Sequence, residues 1–191
     1  MRLALYGGSF DPIHLGHLLV ATAALQEFQL DFLSFVPVAQ SPFKPERKPA
    51  PARFRLRWLR LALAGQTKCR VDDLEIRRGG VSFTIDTVRH YRQRFPQASL
   101  FCLIGEDHVS QLPKWREAEE LARSAEFILV PRPGASFTEV PPGFSIHRLR
   151  GHPLALSSSE IRARVQAGLP IEHLVPESVA HDLLENRLYL D

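Results

Sequence analysis

The sequence predicts a doubly wound α/β fold: a parallel sheet with helices on both faces and a small helical part at the C-terminal end. Three observations predict it. Apolar, strand-like runs alternate with helical stretches along the 191 residues, which implies βαβ units with right-handed crossovers. The chain begins with a short apolar strand, Leu3-Ala-Leu-Tyr6, that meets Gly7 and Gly8 and then a helix. The run Ala98-Ser-Leu-Phe-Cys-Leu-Ile-Gly105 is apolar at odd and even positions alike, as expected of a strand buried on both faces.

A first helix is expected from about His14 to Phe28 and a second strand from Asp31 to Val38. Residues 39–51 form a proline-rich loop made cationic by Lys44, Arg47 and Lys48. It reads as a solvated basic loop or as a functional one, since loops of about a dozen residues inside a compact domain are often functional. Ala52 to Ala64 reads as a helix with Phe54, Trp58 and Leu61 on one side and Trp58 in the core. Cys69 to Ile76 reads as a strand, and residues 77–87 lead into a helix ending near Phe95-Pro96. The central strand ends on Gly105-Glu-Asp107, and ligands of open α/β sheets bind beyond such carboxyl ends. Leu112-Pro-Lys-Trp115 reads, in the plainer of two ways, as the start of an amphipathic helix, and Glu126 to Pro131 is a further strand. Residues 136–150 hold many prolines and glycines and one short strand, Ser145 to Arg148. Arg132 reads as an ion-pair partner or as a residue facing a nucleotide. Ser157 and Glu160 form the S-x-x-E capping-box pattern, and residues 169–184 close the chain with helices.

The length suits one domain with room for a good core. No apolar run approaches the ~18 residues that span a membrane, and the start lacks the basic-then-apolar design of a signal peptide. A cytoplasmic protein is expected. Cys69 and Cys102 lie far apart in apolar segments, which fits buried reduced thiols and not a disulfide framework. The net charge of +3 is mild. Basic residues are spread along the chain, which argues against a nucleic-acid tail.

The chemistry concentrates at the first strand–turn–helix. Gly7 and Gly8 would let the backbone turn sharply and approach a ligand. Bare N–H groups and the positive dipole end of the next helix suit phosphate. His14 and His17 are three apart and share one helix face, with Gly16 between them. Such a pair also fits solvated or capping groups. A metal site is a further alternative, although zinc-binding pairs are commonly four apart with a carboxylate nearby, and here the near acid, Asp11, precedes a proline. Ser157, Ser158, Ser159 and Arg162 offer a second anion site at a helix start, or just a capped helix.

Gly7-Gly-Ser-Phe-Asp-Pro-Ile-His14-Leu-Gly-His17 resembles the signature of the nucleotidylyltransferase superfamily, whose core is His-x-Gly-His. Its surroundings most resemble bacterial nicotinate-nucleotide adenylyltransferases, with Ser9 where that family usually has threonine. The resemblance spans nearly the whole chain. Lys44 matches the lysine of the family's Pro-Pro-His-Lys loop, and Phe43 replaces its histidine. Glu75, Arg78, Gly80, Ser82, Phe83, Thr84, Asp86 and Thr87 match Glu-x-x-Arg-x-Gly-x-Ser-Tyr-Thr-x-Asp-Thr. Gly105 and Asp107 match Gly-Ala-Asp, with Glu106 departing from it. Trp115 matches a tryptophan set against the nicotinate ring. Ser159 and Arg162 match Ile-Ser-Ser-Thr-x-Ile-Arg.

The resemblance implies one Rossmann-like nucleotidylyltransferase domain over residues 1–191. It implies adenylyl transfer from ATP to nicotinate mononucleotide in NAD biosynthesis, with His14, His17, Lys44 and Arg162 catalytic. ATP would be bound by Gly7, Gly8, Ser9, Phe10, His14, His17, Gly105, Asp107, Ser158, Ser159 and Arg162. The mononucleotide would be bound by Lys44, Ser82, Phe83, Thr84 and Trp115. Mg²⁺ would accompany ATP with few direct protein ligands, and no metal is assigned to the protein's own residues. The expected partners are these two small molecules, without nucleic acid or membrane, and self-association is left open. Two rivals share parts of the pattern: a superfamily transferase acting on phosphopantetheine or a cytidylyl group, and a non-catalytic nucleotide-binding module.

Overall fold

The computed structural model describes residues 1–43, 49–131, 139–151 and 154–190. Six strands, β1 (Arg2–Gly8), β2 (Phe32–Pro37), β3 (Cys69–Val71), β4 (Ser99–Gly105), β5 (Glu126–Val130) and β6 (Ile146–Arg148), form one sheet. Its order is β3-β2-β1-β4-β5-β6, and every pairing is parallel. This is the doubly wound order, with its reversal between β1 and β4, so a crevice opens beyond their carboxyl ends.

Side chains alternate across the sheet with the period of two that strands impose. Ala4, Leu33, Phe35, Phe101, Leu103 and Ile128 face one core. That core is closed by α1 (Leu15–Glu27), α2 (Ala52–Ala62), α6 (Ser158–Gln166) and α7 (Glu177–Glu185). Leu3, Leu5, Leu100, Cys102, Ile104 and Phe127 face the other. There they meet α4 (Thr84–Arg94), α5 (Ala118–Ser124) and a 3-10 helix, Glu106–Lys114. Both cysteines are free, and burial pushes the Cys102 thiol up to about 12, so it stays protonated. Trp58 is fully buried, its indole N–H donating to Asp182 on α7 at 2.9 Å.

The elements depart from the sequence expectation in three places. The strand at Cys69 ends at Val71 and gives way to a short helix α3 (Leu74–Arg78). The cause is Asp72, whose Oδ1 accepts the Leu74 N–H at 3.0 Å and whose Oδ2 accepts the Tyr91 hydroxyl at 2.6 Å. Such a side-chain bond to the backbone competes with the sheet ladder. Trp115 does not open a helix but follows the 3-10 helix as its C-cap. Gly7 and Gly8 do not turn the chain either; they are the last residues of β1. The chain reverses at Phe10, whose φ is 47°, and at the cis Asp11–Pro12 bond. Gly8 has a different reason to be glycine: a Cβ there would lie 3.0 Å from the ring of Phe10, which folds back into the core.

One buried cation ties these loops to the body. Arg55 on α2 is 2% exposed. Its guanidinium donates to the carbonyls of Ala50, Ser9 and Val38, each at 2.9 Å. Beside it, the buried Asp11 accepts from Ala50 N–H at 3.0 Å and from the Tyr189 hydroxyl at 2.6 Å. Replacing Arg55 by Met keeps the length but orphans three carbonyls and removes the charge facing Asp11. The expected loss is about 3 kcal/mol of stability, read as a lower urea midpoint, with Arg55→Lys recovering part of it. An unchanged midpoint in Arg55→Met would refute the role.

Candidate active site

Two cavities lie at the carboxyl ends of β1 and β4, side by side. One, of about 410 Å³, is lined by Gly7, Gly8, Phe43, Ser82, Thr84 and Trp115, among others. The second, of about 350 Å³, is lined by Phe10, His14, His17, Ser158, Ser159 and Arg162, among others. Tyr6, Ser9 and Gly105 line both. The cavities therefore meet directly over the switch point of the sheet.

His14 caps α1 and His17 is its third residue. Their rings stack with centroids 3.7 Å apart and planes 28° from parallel. Gly16 allows this, because a Cβ there would press on the His14 ring at 3.0 Å. His17 Nδ1 accepts the His14 N–H at 3.2 Å, which puts the proton of the neutral imidazole on Nε2. Its ring is held edge-on by Phe10 and Tyr6, at 5.1 and 5.8 Å between centroids. Burial lowers both basicities: His14 to about 4, and His17 well below its ordinary value, with His14 adding to the effect. Two neutral imidazoles thus face the cavity. The helix end itself is less bare than expected, because the Leu15 N–H donates to Leu174 C=O at 3.0 Å.

Across this cavity, α6 starts as its capping box predicts. Ser157 Oγ accepts the Glu160 N–H at 3.2 Å. Ser158 donates its hydroxyl to Pro12 C=O at 2.9 Å. Arg162 donates to Ser159 Oγ at 2.8 Å and to Asp11 C=O at 2.5 Å. The two anion-site candidates of the sequence, 140 residues and more apart in the chain, are therefore bonded to each other through the β1–α1 loop.

The larger cavity gathers the other set. Ser82 is buried and its hydroxyl accepts the Ala39 N–H at 3.1 Å. Phe83 caps α4 and Thr84 is its first residue. Gly7, Gly8 and Asp107, expected beside ATP, line this cavity and not the histidine cavity. Asp107 is folded back so that a Cβ on Gly105 would meet its carboxylate at 2.7 Å. Glu106 points inward, its carboxylate 3.6 Å from Arg148. Lys44 and Arg132 lie outside the described residues. The sequence reading missed Tyr6, His108 and Arg116 as lining residues. Tyr6 was the most findable, since it is the apolar residue just before the glycine pair at a strand's carboxyl end.

Comparison with known proteins places this geometry. A family model described as Cytidylyltransferase-like matches residues 5–164. The chain is 41% identical over 192 residues to a protein of Opitutus terrae named "Probable nicotinate-nucleotide adenylyltransferase", covering 99% of this chain and 98% of that one. A relative of the same name from Shouchella clausii is 40% identical over 190 residues, covering 100% and 97%. The chain belongs to the nicotinate-nucleotide adenylyltransferase family. Its fold matches that of the Plasmodium falciparum nicotinic acid mononucleotide adenylyltransferase solved in complex with NaAD, with a TM-score of 0.79, 19% identity and coverage of 98% and 97%. The rival readings of the sequence, a pantetheine or cytidylyl enzyme and a mere binding module, give way to this narrower family. No helix among the described residues is long and apolar enough to cross a membrane.

The buried histidines make stability depend on pH. Free histidine protonates near pH 6.5, and folded His14 near 4. Between those values the unfolded chain binds more protons, so stability rises with pH. The contribution is complete above pH 6.5 and is lost as pH falls toward 4. From pH 7.5 to 5, His14 alone should cost roughly 2 kcal/mol. Urea unfolding of the wild type should therefore weaken more over that interval than that of the doubly substituted His14→Gln, His17→Gln chain. Equal losses would contradict the burial of neutral imidazoles.

Proposed function

We propose that the protein transfers the adenylyl group of ATP to the 5′-phosphate of nicotinate mononucleotide, giving nicotinate adenine dinucleotide and pyrophosphate. The observation that carries this reading is the pair of cavities meeting at Tyr6, Ser9 and Gly105, with the histidines on one side of the junction. One cavity per substrate brings nucleophile and electrophile together and converts a bimolecular step into a unimolecular one. Residues 1–191 act as one domain in this reading. Its soluble substrates fit a cytoplasmic reaction that needs neither nucleic acid nor membrane.

ATP takes the histidine cavity, where Val20, Val130 and Leu156 offer apolar wall for the base. His17 Nε2–H, Ser159 and Arg162 face its phosphates. The nucleophile is already an anion, so no general base and no covalent intermediate are needed. The 5′-phosphate oxygen attacks the α-phosphorus, the bond to the bridging oxygen breaks, and pyrophosphate leaves. Catalysis then rests on positioning and on donors aimed at charge that develops in the transition state. A neutral His17 suits this: it donates a hydrogen bond without first losing a counter-anion, and an arriving phosphate raises its proton affinity. By its place in the resemblance, Lys44 adds positive charge from the loop. A divalent cation, Mg²⁺, arrives with ATP as part of the substrate. The one carboxylate lining the histidine cavity, among the described residues, is Asp11, and it is engaged by Ala50, Tyr189 and Arg162.

The mononucleotide takes the larger cavity. The start of α4 at Thr84 favours an anion, and the Arg116 guanidinium lines the same space, 4.8 Å over the Phe83 ring. Two carboxyls also line it. Glu75 accepts from Thr87 at 2.6 Å, and burial raises its pKa toward the neutral form. Asp107 lies over Gly105 at the junction end. Nicotinate, a carboxylate, fits this setting better than nicotinamide, whose NH₂ would face donors. The expected preference in kcat/KM is at least about tenfold, from an unpaired donor worth roughly 1.4 kcal/mol or more. Pyrophosphate release at saturating ATP and Mg²⁺ with each mononucleotide tests it. In the same assay His17→Ala should lower kcat by about 10²–10³ with little change in the KM for ATP. Equal use of the two mononucleotides, or a near-normal kcat in His17→Ala, would overturn the assignment.

A further inference from the structure

The residues that follow α7 line neither cavity, yet they are bonded to the site. α7 ends in a Schellman turn: the Arg187 N–H donates to Leu184 C=O at 3.0 Å and the Leu188 N–H to Leu183 C=O at 3.3 Å. The position that glycine usually fills in this turn is taken by Arg187, at φ 50°. Two residues on, Tyr189 is again left-handed, at φ 66°. Each costs backbone energy in a residue that carries a Cβ. Such conformations persist where the surroundings over-determine them. The turn sends Leu188 back against the core that holds the fully buried Leu183, and it brings Tyr189 to Asp11.

Tyr189 meets its surroundings at three points. Its hydroxyl donates to Asp11 Oδ1 at 2.6 Å. Its ring centroid lies 6.2 Å from that of Trp58. The guanidinium carbon of Arg162 stands 6.0 Å from the same ring centroid, at the outer limit of a cation–π contact. Asp11 links Tyr189 to Arg162 a second time. Its Oδ1 accepts from Ala50 N–H at 3.0 Å as well as from Tyr189, and its Oδ2 lies 3.5 Å from Arg162 Nη1. A guanidinium beside a carboxylate frequently closes into a bidentate pair in which both oxygens accept. Here the pair stays open. Two donors already hold Oδ1, and Arg162 makes its short bonds to Asp11 C=O and Ser159 Oγ, at 2.5 and 2.8 Å. The guanidinium thereby keeps its place in the wall of the histidine cavity.

We propose that Tyr189 is a positioning residue for ATP: by occupying Asp11 it keeps Arg162 from closing onto the carboxylate, and so keeps the guanidinium for the triphosphate. This rests on the function proposed above, which puts ATP in the histidine cavity. Two anions, Asp11 and the incoming phosphates, compete for one cation. A buried carboxylate that loses a donor is costly until another replaces it. Arg55 already directs its guanidinium to three carbonyls, and Arg162 is the other cation facing Asp11. Without the hydroxyl, Arg162 exchanges its long contact with Asp11 for a paired one, and ATP has to break that pair on binding. Tyr189 lines neither cavity, so its effect passes through Asp11 and Arg162.

A double-mutant cycle on ATP binding tests this. Calorimetry reads the Kd for ATP with Mg²⁺, without mononucleotide, in wild type, Tyr189→Phe, Arg162→Ala and the double variant. Phenylalanine keeps the ring that faces Trp58 and Arg162 and removes only the hydroxyl. Tyr189→Phe should weaken ATP binding about tenfold in the wild-type chain, the scale of one hydrogen bond to a charged group. In the Arg162→Ala chain the same change should cost less than about twofold. In turnover assays Tyr189→Phe should raise the KM for ATP likewise and leave that for nicotinate mononucleotide within about twofold. Wild-type ATP affinity in Tyr189→Phe would overturn the proposal. Equal losses in both backgrounds would overturn it too, since the hydroxyl would then act on the fold and not through Arg162. If Arg162→Ala binds ATP too weakly to measure, the two KM values decide, and a matching rise in both refutes the role. If the wild type fails to turn over nicotinate mononucleotide, the proposed reaction falls, and the calorimetric cycle still decides what Tyr189 does.

Discussion

The structure depends most on the buried knot of Arg55 and Asp11. A guanidinium with no route to water has to find carbonyls, and Arg55 finds three, on the turn after β1, on the end of β2 and at the close of the 39–50 loop. Asp11 gathers the rest. Its carboxylate takes Ala50 N–H and the Tyr189 hydroxyl near the C-terminal end, and Arg162 from α6 approaches both its carboxylate and its carbonyl. Burying charged groups is costly unless their partners are supplied in full. That cost makes the arrangement selective: loops displaced from it would leave a cation or an anion alone in the core. The walls of both cavities hang from this point.

The sheet supplies the rest of the geometry. Its strand order reverses between β1 and β4, so the segments following those strands diverge and leave a crevice. Tyr6, Ser9 and Gly105 line the space where the two cavities join. The histidines are kept neutral by the packing that aims them: Phe10 and Tyr6 hold the His17 ring edge-on, and desolvation lowers its basicity. A site that must receive the negative charge of a triphosphate gains from donors that are oriented before it arrives. His17, fixed in one tautomer by the His14 backbone, is such a donor.

Much of this was legible in the sequence. Strand–helix alternation gave the parallel sheet, and the unbroken apolar run at β4 marked its centre. The S-x-x-E pattern gave the start of α6, and the histidine spacing gave two rings on one face. What could not be read followed from long-range contacts. Asp72 ends β3 because Tyr91, from another helix, holds its second oxygen. Gly8 reads as backbone freedom at a turn, whereas it makes room for the Phe10 ring, and Gly16 makes room for that of His14. Nothing local in the sequence distinguishes Arg55 from Arg53 or Arg57. Asp107, expected beside ATP, lines the larger cavity at its junction end, next to Gly105, which lines both. Ser82 matched its motif, and its hydroxyl proved to hold a loop.

The central claim is that two substrates meet in adjoining cavities and react in one displacement, with no group of the protein bonded to the adenylyl unit on the way. The stereochemistry at phosphorus tests it most directly. One diastereomer of the α-thio analogue of ATP, chiral at the α-phosphorus, is turned over with nicotinate mononucleotide and Mg²⁺, and the configuration of the thio-dinucleotide product is determined. A single in-line attack predicts inversion. Retention would require two successive displacements through an adenylyl–enzyme, and would contradict the account.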